Sequence, residues 1–149
     1  MKNHYYGAGI LFWYPDPNSR DILILLGKRT FGIERGKWSI PGGGWDKKDG
    51  YTNGKKDLEK TALREAKEEI FFNVVEKRFL KKIWSVRSII FNWDTFAVKC
   101  RSKIFVKKFE NEFSKIRWFS VNDLPKNRSI FIDRQVENLL ALIKAARRD

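Results

Sequence analysis

The chain has little of several residues that narrow its chemistry: one cysteine, one histidine, one methionine and four prolines in 149 residues. With Cys100 alone, no intrachain disulfide forms, and the composition suits a reducing compartment. His4, near the N-terminus, is the only imidazole, so a zinc site of histidines and cysteines is not expected. Long apolar runs are missing as well. Ile22 to Leu26 is among the longest and is far too short to span a bilayer, so no membrane partner is expected. The first twenty residues include Pro15, Asp16 and Pro17 and lack a signal-peptide pattern. There is no internal repeat and no low-complexity linker. These absences predict a soluble cytoplasmic protein. Its oligomeric state is open.

Acid is also in short supply. Thirty-one lysines and arginines face eighteen acids, for a net charge of +13. Such a field attracts polyanions, nucleotides or RNA among them. No compact basic motif with interleaved aromatics accompanies it. Hydrophobic residues at 42% and aromatics at 15% describe a folded chain, and the length fits one domain over residues 1–149.

Against this background Arg64-Glu65-Ala66-Lys67-Glu68-Glu69 stands out. Spacing and composition predict a helix over Leu58–Ile70 with Asp57 as its N-cap. Residues at i, i+3 and i+4 share one side of a helix, so Glu65, Glu68 and Glu69 become neighbours. Unpaired, they repel. A divalent cation that prefers oxygen ligands would turn the repulsion into binding. Ala62, Leu63, Ala66 and Ile70 form an apolar arc of the same helix, and Lys60, Arg64 and Lys67 a basic one. A plain solvated acidic face is the alternative reading of this motif alone.

Elsewhere strands are predicted over Gly7–Tyr14, Ile22–Leu26, Trp38–Ile40, Phe79–Phe91, Thr95–Val106 and Ile116–Phe119, with a hairpin turn near Asn92-Trp93-Asp94. Gly42 to Lys56 is polar and glycine-punctuated and reads as loop. An amphipathic helix is predicted over Ile130–Arg147, packing through Val136, Leu139, Leu140 and Ile143. Strands on both sides of a central helix, with a second helix at the end, suggest a mixed sheet sandwiched by helices.

With these elements placed, the chain resembles the Nudix hydrolase family (MutT-like), whose box reads G-x5-E-x7-R-E-U-x-E-E-x-G-U, U being bulky and apolar. Arg64 to Glu69 match R-E-U-x-E-E, with the small Ala66 at U. Trp38-Ser39-Ile40-Pro41-Gly42-Gly43 is similar to the strand and P-G-G loop before the box, and Leu25-Leu26-Gly27-Lys28-Arg29 to the strand before that. Glu112, ahead of Arg117-Trp118-Phe119 and Asp123-Leu124-Pro125, resembles the family's late acidic residue. The resemblance implies an α/β fold, a Nudix-like α/β/α sandwich around a central mixed β-sheet. Two departures stand in the box. The stretch from Gly43 to Arg64 is seven residues too long, so that counting back from Arg64 puts Lys56 where the box has glutamate. Phe71 replaces the late glycine. Asp46, Asp49 and Glu59 are open candidates to make good the missing acid.

The same resemblance implies the chemistry: a nucleotide pyrophosphohydrolase that cleaves a phosphoanhydride with Mg²⁺ (or Mn²⁺). Glu68 and Glu69 are then core metal ligands, Glu65 faces the metal as ligand or general base, and Glu112 is a further ligand or base. The carbonyl of Gly42 or Gly43 adds a ligand, and Arg64 pairs with an acid to hold loop against helix. Arg29, Lys28 and Trp93 are the candidates for holding substrate, with Trp13, Trp45 and Tyr51 as further aromatics. The expected substrate is a nucleoside triphosphate or another nucleoside diphosphate linked to X. An RNA 5′-pyrophosphohydrolase and a non-catalytic Nudix-like domain that binds nucleotide or RNA are the alternatives.

Overall fold

A computed structural model describes residues 4–70, 76–103 and 112–148. Phe71 and residues 104–106 of the last long predicted strand lie outside them. Nine strands and two α-helices are described: β1 (Tyr5–Pro15), β2 (Ile22–Arg29), β3 (Trp38–Ser39), β4 (Gly42–Gly44), β5 (Tyr51–Thr52), β6 (Lys55–Lys56), α1 (Leu58–Ile70), β7 (Lys81–Arg87), β8 (Phe91–Lys99), β9 (Phe113–Ser120) and α2 (Ile132–Arg147).

The central sheet is mixed. β1 runs parallel to β8 from Tyr5 to Trp13, while the β1–β2, β2–β9 and β7–β8 pairs are antiparallel. β1 and β2 pair with each other only at Trp13–Pro15 and Ile22–Ile24. Beyond that the two strands part, β2 taking β3 at Gly27 and Lys28, and β1 taking β4 at Gly7 to Gly9. This split decides where the site falls, because it sets the end of β2 beside the start of β4.

Alternation along β1 builds both cores. Ala8, Ile10 and Phe12 face α1 and pack with Leu25, Ala62, Ala66, Ile70 and Phe96. Leu11, on the other face, packs with Ile24, Leu26, Ile40, Ala97 and α2 through Ile132, Val136, Leu139 and Ile143. The helices therefore cover opposite faces, the sandwich expected. Among the described residues no helix is long and apolar enough to cross a membrane.

Helix α1 occupies the span predicted, and its cap is as predicted: the Lys60 amide donates to Asp57 Oδ1 at 3.0 Å. Other expectations need correction. The P-G-G stretch is not a loop, since Gly42–Gly44 pairs with β1. A Cβ on Gly42 would sit 2.6 Å from the Ala8 carbonyl oxygen, so only glycine allows this approach. The hairpin turns at Ser88–Ile90, not at Asn92-Trp93-Asp94, which lies inside β8. Ser88 makes the turn, its Oγ accepting from the Phe91 amide at 2.9 Å. Ile89 and Ile90 at the tip are exposed, and their apolar character hid the turn from the sequence pattern. Helix α2 starts at Ile132, and Leu140 points largely to solvent instead of packing.

The seven extra residues become structure. Asn53 and Gly54, at φ 54° and 77°, form the tight turn of a small hairpin in which Tyr51 pairs with Lys56 and Thr52 with Lys55. Lys56, the residue at the glutamate position by count, points its Nζ over the rings of Trp45 (4.5 Å), Tyr6 (4.6 Å) and Tyr51 (5.7 Å). These ring faces are electron-rich and suit a cation. Lys56→Glu, which restores the box by count, is therefore expected to destabilise the protein by about 1–2 kcal/mol. Urea denaturation checks this, and a gain in stability would contradict the cage.

Candidate active site

The acid missing from the box is recovered by counting forward instead of back. Gly43-x5-Asp49 keeps the box spacing, and the hairpin then separates Asp49 from Arg64. Asp49 ends a short 3-10 turn, Lys47–Asp49, capped by Asp46. Its carboxylate takes Arg64 Nε at 2.7 Å and Nη2 at 3.0 Å, and the Thr61 hydroxyl at 2.9 Å. Burial, the largest single influence, would raise the pKa of Asp49, but the bonds from Arg64, the Asp46 amide and Thr61 together outweigh it, and the carboxyl lies below the usual range. Arg64 in turn donates to the Gly44 carbonyl at 2.8 Å. The expected tie of loop to helix is thus made, with Asp49 as the partner. Asp46 serves only the turn.

The tie presents one face of α1 to the split in the sheet. Glu65 and Glu69 are buried there, and Glu112, half-exposed just ahead of β9, reaches the same place. Oxygens of Glu65, Glu69 and Glu112 lie within 4.8 Å of one another. The Gly42 amide donates to Glu69 Oε1 at 2.6 Å, placing the first residue of β4 against the cluster. A Cβ on Gly43 would meet the Glu65 carboxylate at 2.6 Å. Glu68 is not in the cluster. It is exposed, 3.1 Å from Arg64 Nη1 and 3.4 Å from Lys48 Nζ, and Arg64 Nη1 also touches Glu65 at 3.0 Å.

Arg29 is brought into the centre. Its Nη1 donates to Glu69 Oε2 at 2.6 Å and lies 3.5 Å from Glu112 Oε2. Nη2 donates to the carbonyls of Ile40 (2.9 Å) and Gly42 (3.3 Å), Nε donates to Ser39 Oγ at 2.8 Å, and the group stacks 4.4 Å over Phe113. Lys28 pairs through its backbone with Trp38 and Lys115 on the flanking strands. Trp93 lies against the glycines on the α2 face, since a Cβ on Gly9 or Gly42 would meet its ring at 2.9 Å. Its Nε1 donates to Thr95 Oγ1, and its ring is parallel to Phe91, which is in turn parallel to Tyr5. Tyr5 is a residue the sequence reading missed. Its hydroxyl lies by the glycine strand, since a Cβ on Gly7 would meet it and the Gly43 carbonyl each at 2.8 Å, and burial first, then the charge of Glu65, push its pKa up. Only its aromatic type signalled it. Trp45 and Tyr51 go to the Lys56 cage, and Trp13 to Lys99 at 5.5 Å.

A separate cleft of about 800 Å³ lies between the β5–β6 hairpin, the start of α1 and the β7–β8 pair. Lys55, Lys56, Lys82 and Arg87 line it beside Asp57, Glu59 and Asp94, and none of Glu65, Glu68, Glu69 and Glu112 does.

Such a sandwich, with a carboxylate cluster on the helix that follows a glycine strand, matches one known architecture. The family model described as NUDIX domain matches residues 6–139. The chain belongs to the Nudix family. Solved structures agree on the fold. The NUDIX domain of Shewanella oneidensis NrtR in complex with ADP ribose is 16% identical, with a TM-score of 0.70 over 96% of this chain and 90% of that one. A Caenorhabditis elegans Ap4A hydrolase binary complex is 16% identical, with a TM-score of 0.70 over 95% of this chain and 98% of that one. A MutT/nudix family protein from Enterococcus faecalis is 15% identical, with a TM-score of 0.67 over 80% of this chain. The match spans only 45% of that longer protein. No curated protein sequence matches the chain.

Nudix hydrolases generally use divalent ions, and the donors present fit one. All are oxygens, the set that Mg²⁺ and Mn²⁺ favour. The electrostatics ask for a cation too. The Glu69 carboxyl is pushed up to about 9, first by burial, then by the adjacent Glu112, against the opposing pull of Arg29. Glu65 is raised by burial and Glu112, against Arg64. An acid whose folded pKa is raised contributes stability fully below its unfolded value, near 4.5, and loses that contribution as pH climbs through the folded value. Without divalent ions the protein is therefore expected to lose stability as pH rises from about 4.5 towards about 9. Ligands bind metal deprotonated, so Mg²⁺ offsets that loss and its stabilisation grows with pH. Melting temperatures with and without Mg²⁺ at about pH 6 and 8.5 test this; an equal Mg²⁺ shift at both would contradict it.

Proposed function

We propose that this protein is a Mg²⁺- or Mn²⁺-dependent hydrolase that cleaves a phosphoanhydride in a nucleoside triphosphate or another nucleoside diphosphate linked to X. The convergence of Glu65, Glu69 and Glu112 beside Gly42 carries this reading. Glu65, Glu69, Glu112 and the Gly42 carbonyl would hold the ion, with Glu68, now against Lys48 and Arg64, as a carboxylate at the rim. When bound, the ion neutralises the phosphate oxygens and makes its water a stronger acid. Glu65 takes the proton of the attacking water, its burial matching it to that task, with Glu112 as the alternative base. Arg64, locked to Asp49, keeps Glu65 in place. Arg29 at the end of β2 meets the phosphates, while alternation along β2 turns Lys28 to the opposite face, and Trp93, in its row with Phe91 and Tyr5, offers a ring face to the base. ADP ribose and Ap4A, the compounds named for two structural neighbours, both carry phosphoanhydrides next to a nucleoside. The chain works as one cytoplasmic domain.

The test is release of phosphate or pyrophosphate from a panel of nucleoside triphosphates, ADP-ribose and dinucleoside polyphosphates, with and without Mg²⁺. Release from at least one compound, dependent on the ion, is the expected result. Tight binding with no release from any would favour a non-catalytic domain.

A further inference from the structure

Arg29 poses a problem that the proposed function leaves standing. Every nitrogen of its guanidinium is engaged, and three of its five partners are oxygens that would hold an ion: Glu69 Oε2 at 2.6 Å, Glu112 Oε2 at 3.5 Å and the Gly42 carbonyl at 3.3 Å. An arginine so engaged has no free edge for a phosphate. A divalent ion within bonding reach of Glu69 and Gly42 would also lie against Nη1 and Nη2, cation against cation, in a largely buried place where water screens little.

We propose that Arg29 and the divalent ion are alternative occupants of one oxygen set, so that ion binding expels the guanidinium from Glu69 and turns it towards the substrate. The exchange is local. Nε rests on Ser39 Oγ and Nη2 on the Ile40 carbonyl, neither of them a proposed ligand, so the side chain can pivot on that edge while Nη1 lets go. The stack on Phe113 keeps the guanidinium plane at the end of β2 during the move. Arg29 is thus a built-in competitor that weakens ion binding in the free protein. The released edge, planar and with two donors, suits a phosphate oxygen pair. This last step rests on the proposed hydrolase reading; the competition itself does not.

The experiment is Mn²⁺ binding without substrate, followed by calorimetry and by the electron paramagnetic resonance signal of free Mn²⁺, for the parent, Arg29→Met and Lys28→Met. Met keeps length and ring contact at 29 and removes the competing donors. Lys28→Met deletes the same charge one residue away, without the Glu69 contact. Arg29→Met is expected to bind Mn²⁺ about tenfold more tightly than the parent or better, the worth of a charged hydrogen bond. Lys28→Met is expected to stay within about twofold. Equal tightening by both variants would reduce the effect to general charge and overturn the proposal, as would an unchanged or weaker Arg29→Met. Should Arg29→Met fold poorly, Arg29→Lys, which keeps charge but not the fork, is expected to fall between it and the parent; binding no tighter than the parent would count against competition. Failure of the hydrolase reading looks different: all three proteins would fail to bind Mn²⁺, or Arg29→Met would bind tightly and none would turn over nucleotide.

Discussion

Glu69→Gln is expected to abolish turnover while leaving the protein folded. Glutamine keeps the shape, and its one carbonyl oxygen can still accept from the Gly42 amide, which now lies 2.6 Å from Oε1, while the Oε2 that accepts from Arg29 at 2.6 Å becomes an NH2 that cannot. What it removes is the charge that a hard cation needs. Loss of a group that merely orients a ligand costs 10–100-fold in many metal sites, so loss of the ligand's own charge is expected to lower kcat by more than about a hundredfold. The fold should hold near neutral pH, because an uncharged amide avoids the burial cost of an ionised Glu69, which offsets the acceptor lost to Arg29. Rates with saturating Mg²⁺, read beside the circular dichroism spectrum, decide the matter. Activity within about threefold of the parent would remove Glu69 from the chemistry. Glu68→Gln is the instructive companion. Exposed and held by Lys48 and Arg64, Glu68 is expected to matter less than Glu69, although the family pattern treats them alike.

The second large effect is structural. Arg64→Ala strands Asp49, whose side chain is 2% exposed, without its main partner, and opens the contact between Gly44 and α1. Breaking one side of a buried ion pair typically costs about 3–5 kcal/mol, and that loss is expected here. Asp49→Asn should cost less, because an amide still accepts from Thr61 and tolerates burial uncharged. The double variant should lose less than the sum of the two, and additivity would deny the coupling. The pair also sets the acid limit. Asp49 has a lowered folded pKa, so its contribution is present above its unfolded value near 3.8 and is lost as pH falls through the folded one. In the parent, part of the loss on acidification therefore traces to Asp49, and in Asp49→Asn that part should be absent from a pH series of denaturation midpoints.

The two variants also separate what is local from what is not. Helix α1, its Asp57 cap and the shared side of Glu65 and Glu69 follow from a period of 3.6 residues and short-range hydrogen bonding, so linear order was enough to place them. The same holds for α2, where helical spacing names the buried Val136, Leu139 and Ile143. The turn at Ser88–Ile90 escaped because two isoleucines occupy it, and hydrophobic pattern reports strands better than it reports exposed turns. Asn53-Gly54 was legible as a hairpin signal in principle, and it marks where the extra residues went.

By itself, then, the order of residues determined a Nudix sandwich, a glutamate-bearing helix and the need for an acid opposite Arg64. It could not choose Asp49 over Asp46 or Glu59, because counting along a chain fails once a hairpin of unknown size is inserted. Nor could it bring Glu112 to Glu69, or turn Arg29 from a strand-end residue into the cation set against both of them. Those placements depend on β1 and β2 parting to admit β3 and β4, a property of the assembled sheet. Contacts between residues tens of positions apart are set by how layers pack, and only the tertiary structure holds that information.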